Sequence, residues 1–138
     1  MPRKDRIHKA VKNALTKDGW TVTDDPFRIA YEDADVYADL RIVKNEAGTT
    51  VRRALIIEIK GFTGGSPLHS LENALGQYEL YRIYLQSIAP DDKRYLAVSV
   101  TTYEEQFTRP AFAIIVREKS LPLLVVDTER EEVARWIN

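Results

Sequence analysis

Apolar positions near the start of the chain recur at helical spacing. Ile7, Val11, Ala14 and Leu15 fall on one face between about Lys4 and Asp18, and Gly19 ends the run, which predicts an amphipathic helix. The period then changes to two. In "WTVTDD", Trp20 and Val22 alternate with Thr21 and Thr23, a short strand, and Pro26 breaks the chain. "ADLRIVK" sets Leu40 and Ile42 against Asp39 and Arg41. After the turn signal "NEAGTT", "VRRALIIEIK" reads as the next strand, and the short polar connection predicts an antiparallel hairpin. "GFTGGSP" reads as a mobile loop, with Ser66 as N-cap and Pro67 in the first turn of a helix running to about Gln86. Leu71, Leu75, Tyr78 and Leu85 form the apolar stripe of that helix. "RYLAVSV" and "LPLLVVD" are strands. "TYEEQFTRPAFAIIVREK" carries a helix that Pro110 starts or kinks. The tail "EREEVARWIN" fits either a short strand or a last helical turn.

The order α-β-β-β-α-β-α-β describes an α/β fold with a central mixed β-sheet flanked by helices. A length of 138 residues suits a single domain spanning 1–138. No apolar run reaches the roughly 20 residues of a membrane helix, and no hydrophobic segment follows the charged N-terminus. The absence of cysteine excludes disulfides and thiolate metal sites and fits a cytoplasmic setting. The net charge of −1 excludes a generally adhesive polycation. Charge is uneven, however: Arg3, Lys4, Arg6, Lys9, Lys12 and Lys17 precede an acidic stretch from Asp24 to Asp35. Both stretches read first as solvated faces.

The strand "ALIIEIKGF" raises the chemical question. Leu55, Ile57 and Ile59 share one face; Ala54, Ile56, Glu58 and Lys60 share the other. The second face turns charged at its C-terminal end, as a strand emerging into a cleft would. Asp39, near the start of the preceding strand, comes beside Glu58 in an antiparallel hairpin. Two carboxylates at close range repel unless a cation lies between them, and Mg²⁺ (or Mn²⁺) is the common solution. Lys60 is then placed to face the water or the phosphate under attack, an arrangement suited to metal-assisted phosphodiester hydrolysis. The competing reading is a dry ion network, with Lys60 bonded to both acids and no room for a metal.

Asp39, followed nineteen positions later by Glu58 in Glu58-Ile59-Lys60, resembles the PD-(D/E)xK nuclease superfamily, and so does the element order. The resemblance implies a restriction-endonuclease-like fold, with Asp39 and Glu58 as metal ligands and Lys60 assisting hydrolysis. Some branches of that superfamily carry Q-x-x-x-Y in the helix after the motif. Gln77 and Tyr81 match it, four apart on one helical face. This implies Gln77 near the metal-bound water or DNA, with Tyr81 packing beneath. Other members place a glutamate on the first helix, where this chain has only Asp5.

Three longer stretches, "HKAVKNALTKDGWTVTDDPFRI", "IEIKGFTGGSPLHSLENALGQYELYR" and "LLVVDTEREEVARWIN", are similar to the XisH family of fdxN element excision controlling factors. That resemblance covers nearly the whole chain. It implies a role in controlling excision of a DNA element during site-specific recombination, with DNA as partner and a second small protein, XisI-like, alongside. A homodimer is the analogy offered by other nucleases of this kind. Two functions stay open: a Mg-dependent endonuclease-like protein, and a catalytically silent regulatory or binding factor that keeps the nuclease fold.

His8, one residue beyond the Ile7 core position, reads either as a cleft residue or as a half-buried histidine. Arg6, Lys9 and Lys12 are candidate DNA-backbone contacts, individually weak and salt-sensitive. His69 reads as a loop histidine, Asp33 and Asp35 as loop acids, and Trp20 and Trp136 as core or subunit-interface residues.

Overall fold

The computed structural model describes residues 3–138. Helix α1 (Arg3–Lys17) is followed by strand β1 (Thr21–Asp24), a separate pair β2 (Phe27–Tyr31) and β3 (Ala34–Ala38), then β4 (Leu40–Asn45) and β5 (Arg52–Ile59). Helix α2 (Pro67–Ile88) leads to β6 (Lys93–Ser99). A short helix α3 (Val100–Thr102), running into a π-helical turn at Tyr103–Phe107, and α4 (Pro110–Lys119) lead to β7 (Leu123–Asp127) and β8 (Glu132–Ile137). Six strands make one mixed sheet in the order β1-β4-β5-β6-β7-β8. β5, β6 and β7 run parallel, and the outer pairings are antiparallel. Parallel neighbours need long crossovers, which α2 and the α3–α4 segment supply. The α/β fold with a central mixed sheet flanked by helices is therefore present.

The covered strands explain the apolar runs. Leu55, Ile56 and Ile57 are all buried, because β5 is packed on both faces. On one face, Val11, Ala14 and Leu15 of α1 meet Leu55, Ile57, Ala97 and Leu124. On the other, Leu71 and Ala74 of α2 and Phe112 of α4 meet Leu96, Val98, Leu123 and Val125. Ser66 caps α2 by accepting from the His69 amide at 3.2 Å, and Pro67 opens the helix. Pro110 starts α4 rather than kinking a longer helix, because its missing N–H costs nothing at a first helical position.

Three expectations change, and one open alternative is settled. The stretch around Asp33 and Asp35 is not a loop: β2 and β3 form an antiparallel hairpin, turning at Glu32 and Asp33. Its buried Ile29 and Ala38 join Ile56, Tyr81 and Leu85 beside α2. The alternation Phe27, Ile29, Tyr31 carried the signal, but acids dominate the segment. Asp39 lies in the bend between β3 and β4 rather than within a strand. The tail takes the strand alternative, β8 pairing antiparallel with β7. The Gly61–Pro67 loop is anchored near its start, because Phe62 packs against Phe107 and Phe112.

Candidate functional site

The C-terminal ends of β5, β6 and β7 point the same way, and such strand ends are where open α/β sheets expose a crevice. β4 pairs with β5 so that Leu40 faces Ile57. Extending that register by one residue sets Asp39 opposite Glu58. The bend at Asp39 is fixed from the strand end: Asp39 Oδ2 accepts a 2.7 Å hydrogen bond from the Ile59 amide. The next amide, of Lys60, donates to the Ala97 carbonyl at 3.0 Å. Regular pairing stops there, and Gly61 and Phe62 turn the chain away, Phe62 at φ 52°.

Glu58 is oriented from α2. The Tyr81 phenol oxygen lies 2.8 Å from Glu58 Oε2 and 2.8 Å from the Tyr37 carbonyl oxygen. Burial, then the neighbouring Asp39 carboxylate, push the Glu58 carboxyl up to about 8. Near neutral pH the two acids thus hold one proton between them. Two protons, that of the phenol and that of the acid pair, serve three acceptors: Tyr37 O, Glu58 and Asp39. Burial, and then the charge of Glu58, hold the Tyr81 phenol well above its ordinary range, so it stays a donor. Tyr81→Phe removes that donor from both Glu58 and the Tyr37 carbonyl. The expected cost is about 1–3 kcal/mol, read by urea denaturation beside the wild type.

In front of this pair lies a pocket of about 480 Å³, lined by Asp39, Lys60, Arg6, His8, Ser99 and Thr128 among others. Glu58, Gln77 and Tyr81 are not in its lining; they sit behind it, on the α2 side. Glu58 and Lys60, expected on one face, therefore part company, because the alternation of β5 ends at Ile59. Lys60 forms no ion pair with either acid among the described residues, so the dry network bridged by its ammonium is not formed. Gln77 shares the α2 face of Tyr81, and its Oε1 is buried with no hydrogen-bond partner among the described residues.

His8 is held from an unexpected side. Its Nε2 lies 2.8 Å from Asp25 Oδ1, and its Nδ1 lies 3.9 Å from Asp39 Oδ1. Lys12 donates to the other Asp25 oxygen at 2.7 Å. Burial raises the Asp25 carboxyl, but the Lys12 and His8 hydrogen bonds outweigh it and hold the group below its ordinary value. Lys12 is thus committed to Asp25, whereas Arg6 faces the pocket and Lys9 lies exposed outside its lining. Asp35 pairs with Arg28 at 2.9 Å and His69 lies near Glu72, both at the surface. Nothing in the spacing of Asp25 marks it; only folding the β1 end against α1 brings it to His8.

Among the described residues no cluster of three or more His, Cys, Asp or Glu side chains is arranged around a metal. Two adjacent carboxylates do suit a hard cation that keeps several waters and completes its shell with phosphate oxygens. They do not suit a closed protein cage. The orphaned Gln77 Oε1 is a further oxygen with capacity to bind water in this region.

The XisH protein family model matches residues 1–134. The chain belongs to the XisH family. Two solved XisH-type structures are similar over almost all of it. A fdxN element excision controlling factor protein from Anabaena variabilis is 36% identical, with a TM-score of 0.84, covering 97% of this chain and 99% of that one. An XisH family protein from Nostoc punctiforme is 32% identical, with a TM-score of 0.84, covering 97% and 100%. No curated protein matches the chain. In this XisH chain no helix of the described residues is long and apolar enough to cross a membrane.

Proposed function

We propose that this XisH protein acts on DNA in the cytoplasm as a factor controlling excision of a DNA element, with a PD-(D/E)xK nuclease-like site hydrolysing phosphodiester bonds. The observation that carries the reading is the acid pair: Asp39, in the bend before β4, and Glu58, on β5, share a proton at the edge of a pocket that Lys60 lines. The name of the Anabaena relative supports the excision role. Asp39 and Glu58 would hold Mg²⁺ or Mn²⁺ once their shared proton leaves. The bound ion would supply an activated water and charge stabilisation on the phosphate.

The chain's own residues do the rest. The Ile59 amide fixes Asp39, and Tyr81 fixes Glu58, so the pair is oriented before substrate arrives. The Lys60 ammonium forms no ion pair among the described residues and stays available to a phosphate oxygen. Arg6 extends the positive wall, and His8, steadied by Asp25, borders the same space. Gln77 offers a buried carbonyl oxygen to water behind the acids.

A second reading rests on the same pair. Glu58 is protonated near neutral pH, and no third carboxylate or histidine completes a ligand set among the described residues. On that ground a silent nuclease-fold factor would work through DNA, through an XisI-like protein or as a homodimer. Calorimetric titration of Mn²⁺ into wild type and Asp39→Ala, each with and without duplex DNA, separates them. The nuclease reading expects saturable binding to wild type that Asp39→Ala loses, and Mg²⁺-dependent DNA cleavage that Lys60→Ala loses. Absence of metal binding even with DNA present favours the silent factor.

A further inference from the structure

A second pocket, of about 580 Å³, opens at the opposite end of the sheet, where β5 and β6 begin and β4 and β8 end. One side is aromatic: Trp136 is half-buried over the core residues Trp20 and Tyr95, with Trp20 and Trp136 centroids 5.8 Å apart and Tyr95 edge-on to Trp136 at 5.0 Å. Its rim is cationic: Lys44, Arg53 and Lys93 line it. Lys44 and Arg53 are direct cross-strand partners on β4 and β5, a placement in which like charges repel. Both lean over the Trp20 ring, at 5.4 and 5.9 Å from its centroid.

The two side-chain acids of the lining do not neutralise this rim. Asp18 is turned to the Trp20 ring nitrogen at 3.3 Å, and its backbone carbonyl accepts from Lys44 at 2.7 Å. Glu46 also lines the pocket but reaches none of the three cations within ion-pair distance. Elsewhere the surface cations Lys12, Arg28, Arg82 and Lys119 each meet a carboxylate. Lys44, Arg53 and Lys93 form no ion pair among the described residues. An anion would relieve their repulsion, and a planar ring would find an aromatic wall, the combination that nucleotide units supply. The volume lies within the range of small-molecule sites.

We propose that this pocket binds a nucleotide unit, its phosphate between Lys44, Arg53 and Lys93 and its base against the half-buried Trp136 ring. The unit is a free mononucleotide or the terminal nucleotide of a single strand. The site is independent of the Asp39 pocket, which lies at the other end of the sheet.

The chain's two tryptophans both line this pocket, so their emission is a built-in reporter. The experiment titrates the full chain with adenosine monophosphate, a 5′-phosphorylated hexadeoxyadenylate and inorganic phosphate, exciting tryptophan. A saturable emission change is expected with one or both nucleotide probes. Binding weaker by about tenfold is expected with phosphate alone, and in Arg53→Gln and Lys93→Gln, with Arg117→Gln, exposed in the last turn of α4, unchanged. Both pocket positions are exposed at the surface, and circular dichroism checks that the variants fold. Tighter binding of the oligonucleotide assigns the site to a strand end, and equal binding to a free nucleotide. No saturable change, phosphate binding as well as the nucleotides, or variants binding like wild type each overturn the proposal.

Discussion

Replacing Glu58 with glutamine is expected to make the metal-free protein more stable, by a margin that grows with pH. Burial and the Asp39 carboxylate raise the folded-state carboxyl from its ordinary 4.5 to about 8. Between those values the folded chain keeps a proton that the unfolded chain has released. Stability therefore falls as pH rises through the window, and the contribution present at low pH is lost above about 8. Glutamine has no proton to lose, and its amide still donates to Asp39. Wild type and Glu58→Gln should be similar near pH 5 and diverge by on the order of 3 kcal/mol near pH 9. Urea denaturation across that range measures the difference directly, and effects common to both proteins cancel. Asp39→Asn gives the complementary test: removing the neighbouring charge lowers the Glu58 titration and narrows the window. Parallel stability curves for wild type and Glu58→Gln would mean that the two acids do not share a proton. A site that stores this cost in the absence of ligand fits one whose acids are placed for a cation rather than for the fold.

The acid pair was legible because it depends on strand register, and register follows from hydrophobic alternation and a short hairpin. Asp39 and Glu58 are brought together by the same pairing that sets Leu40 opposite Ile57. Tyr81 was singled out by the Q-x-x-x-Y resemblance, with helical spacing giving only its shared face with Gln77; its hydrogen bond to Glu58 was not legible. Lys60 was only half legible: alternation put it on the Glu58 face, but alternation holds only while the strand lasts, and β5 ends at Ile59. The β2–β3 hairpin was missed because two buried side chains, Ile29 and Ala38, sit among acids that dominate a short window. Asp25 showed only as one acid of the Asp24–Asp35 stretch. Its contact with His8 depends on how the end of β1 meets α1, a tertiary relation without a sequence period. The pairing of charges is equally invisible: Lys12 and Lys93 look alike in the chain, yet one meets a carboxylate and the other meets none among the described residues.

Phe112→Ala is expected to be the most damaging single truncation, costing about 3–5 kcal/mol. The ring is fully buried at the centre of the cluster beneath α4. It meets Phe107 edge-on at 5.2 Å and Phe62 at 6.2 Å. No polar group is freed by its loss, so the cost is the transfer of the ring plus the cavity that the surrounding side chains fail to close. Ile114, two residues on in the same helix, is 47% exposed, and Ile114→Ala should change stability by less than about 0.5 kcal/mol. Equilibrium urea denaturation of the two variants reads the contrast; a loss below about 1 kcal/mol for Phe112→Ala would contradict the packing. The consequence reaches the candidate site through Phe62, which holds a left-handed backbone conformation at φ 52° directly between the pocket residues Gly61 and Thr63. With Phe112 gone, one of the two rings that anchor Phe62 is lost, and amide exchange from Lys60 to Gly64 should accelerate beyond what the global destabilisation gives.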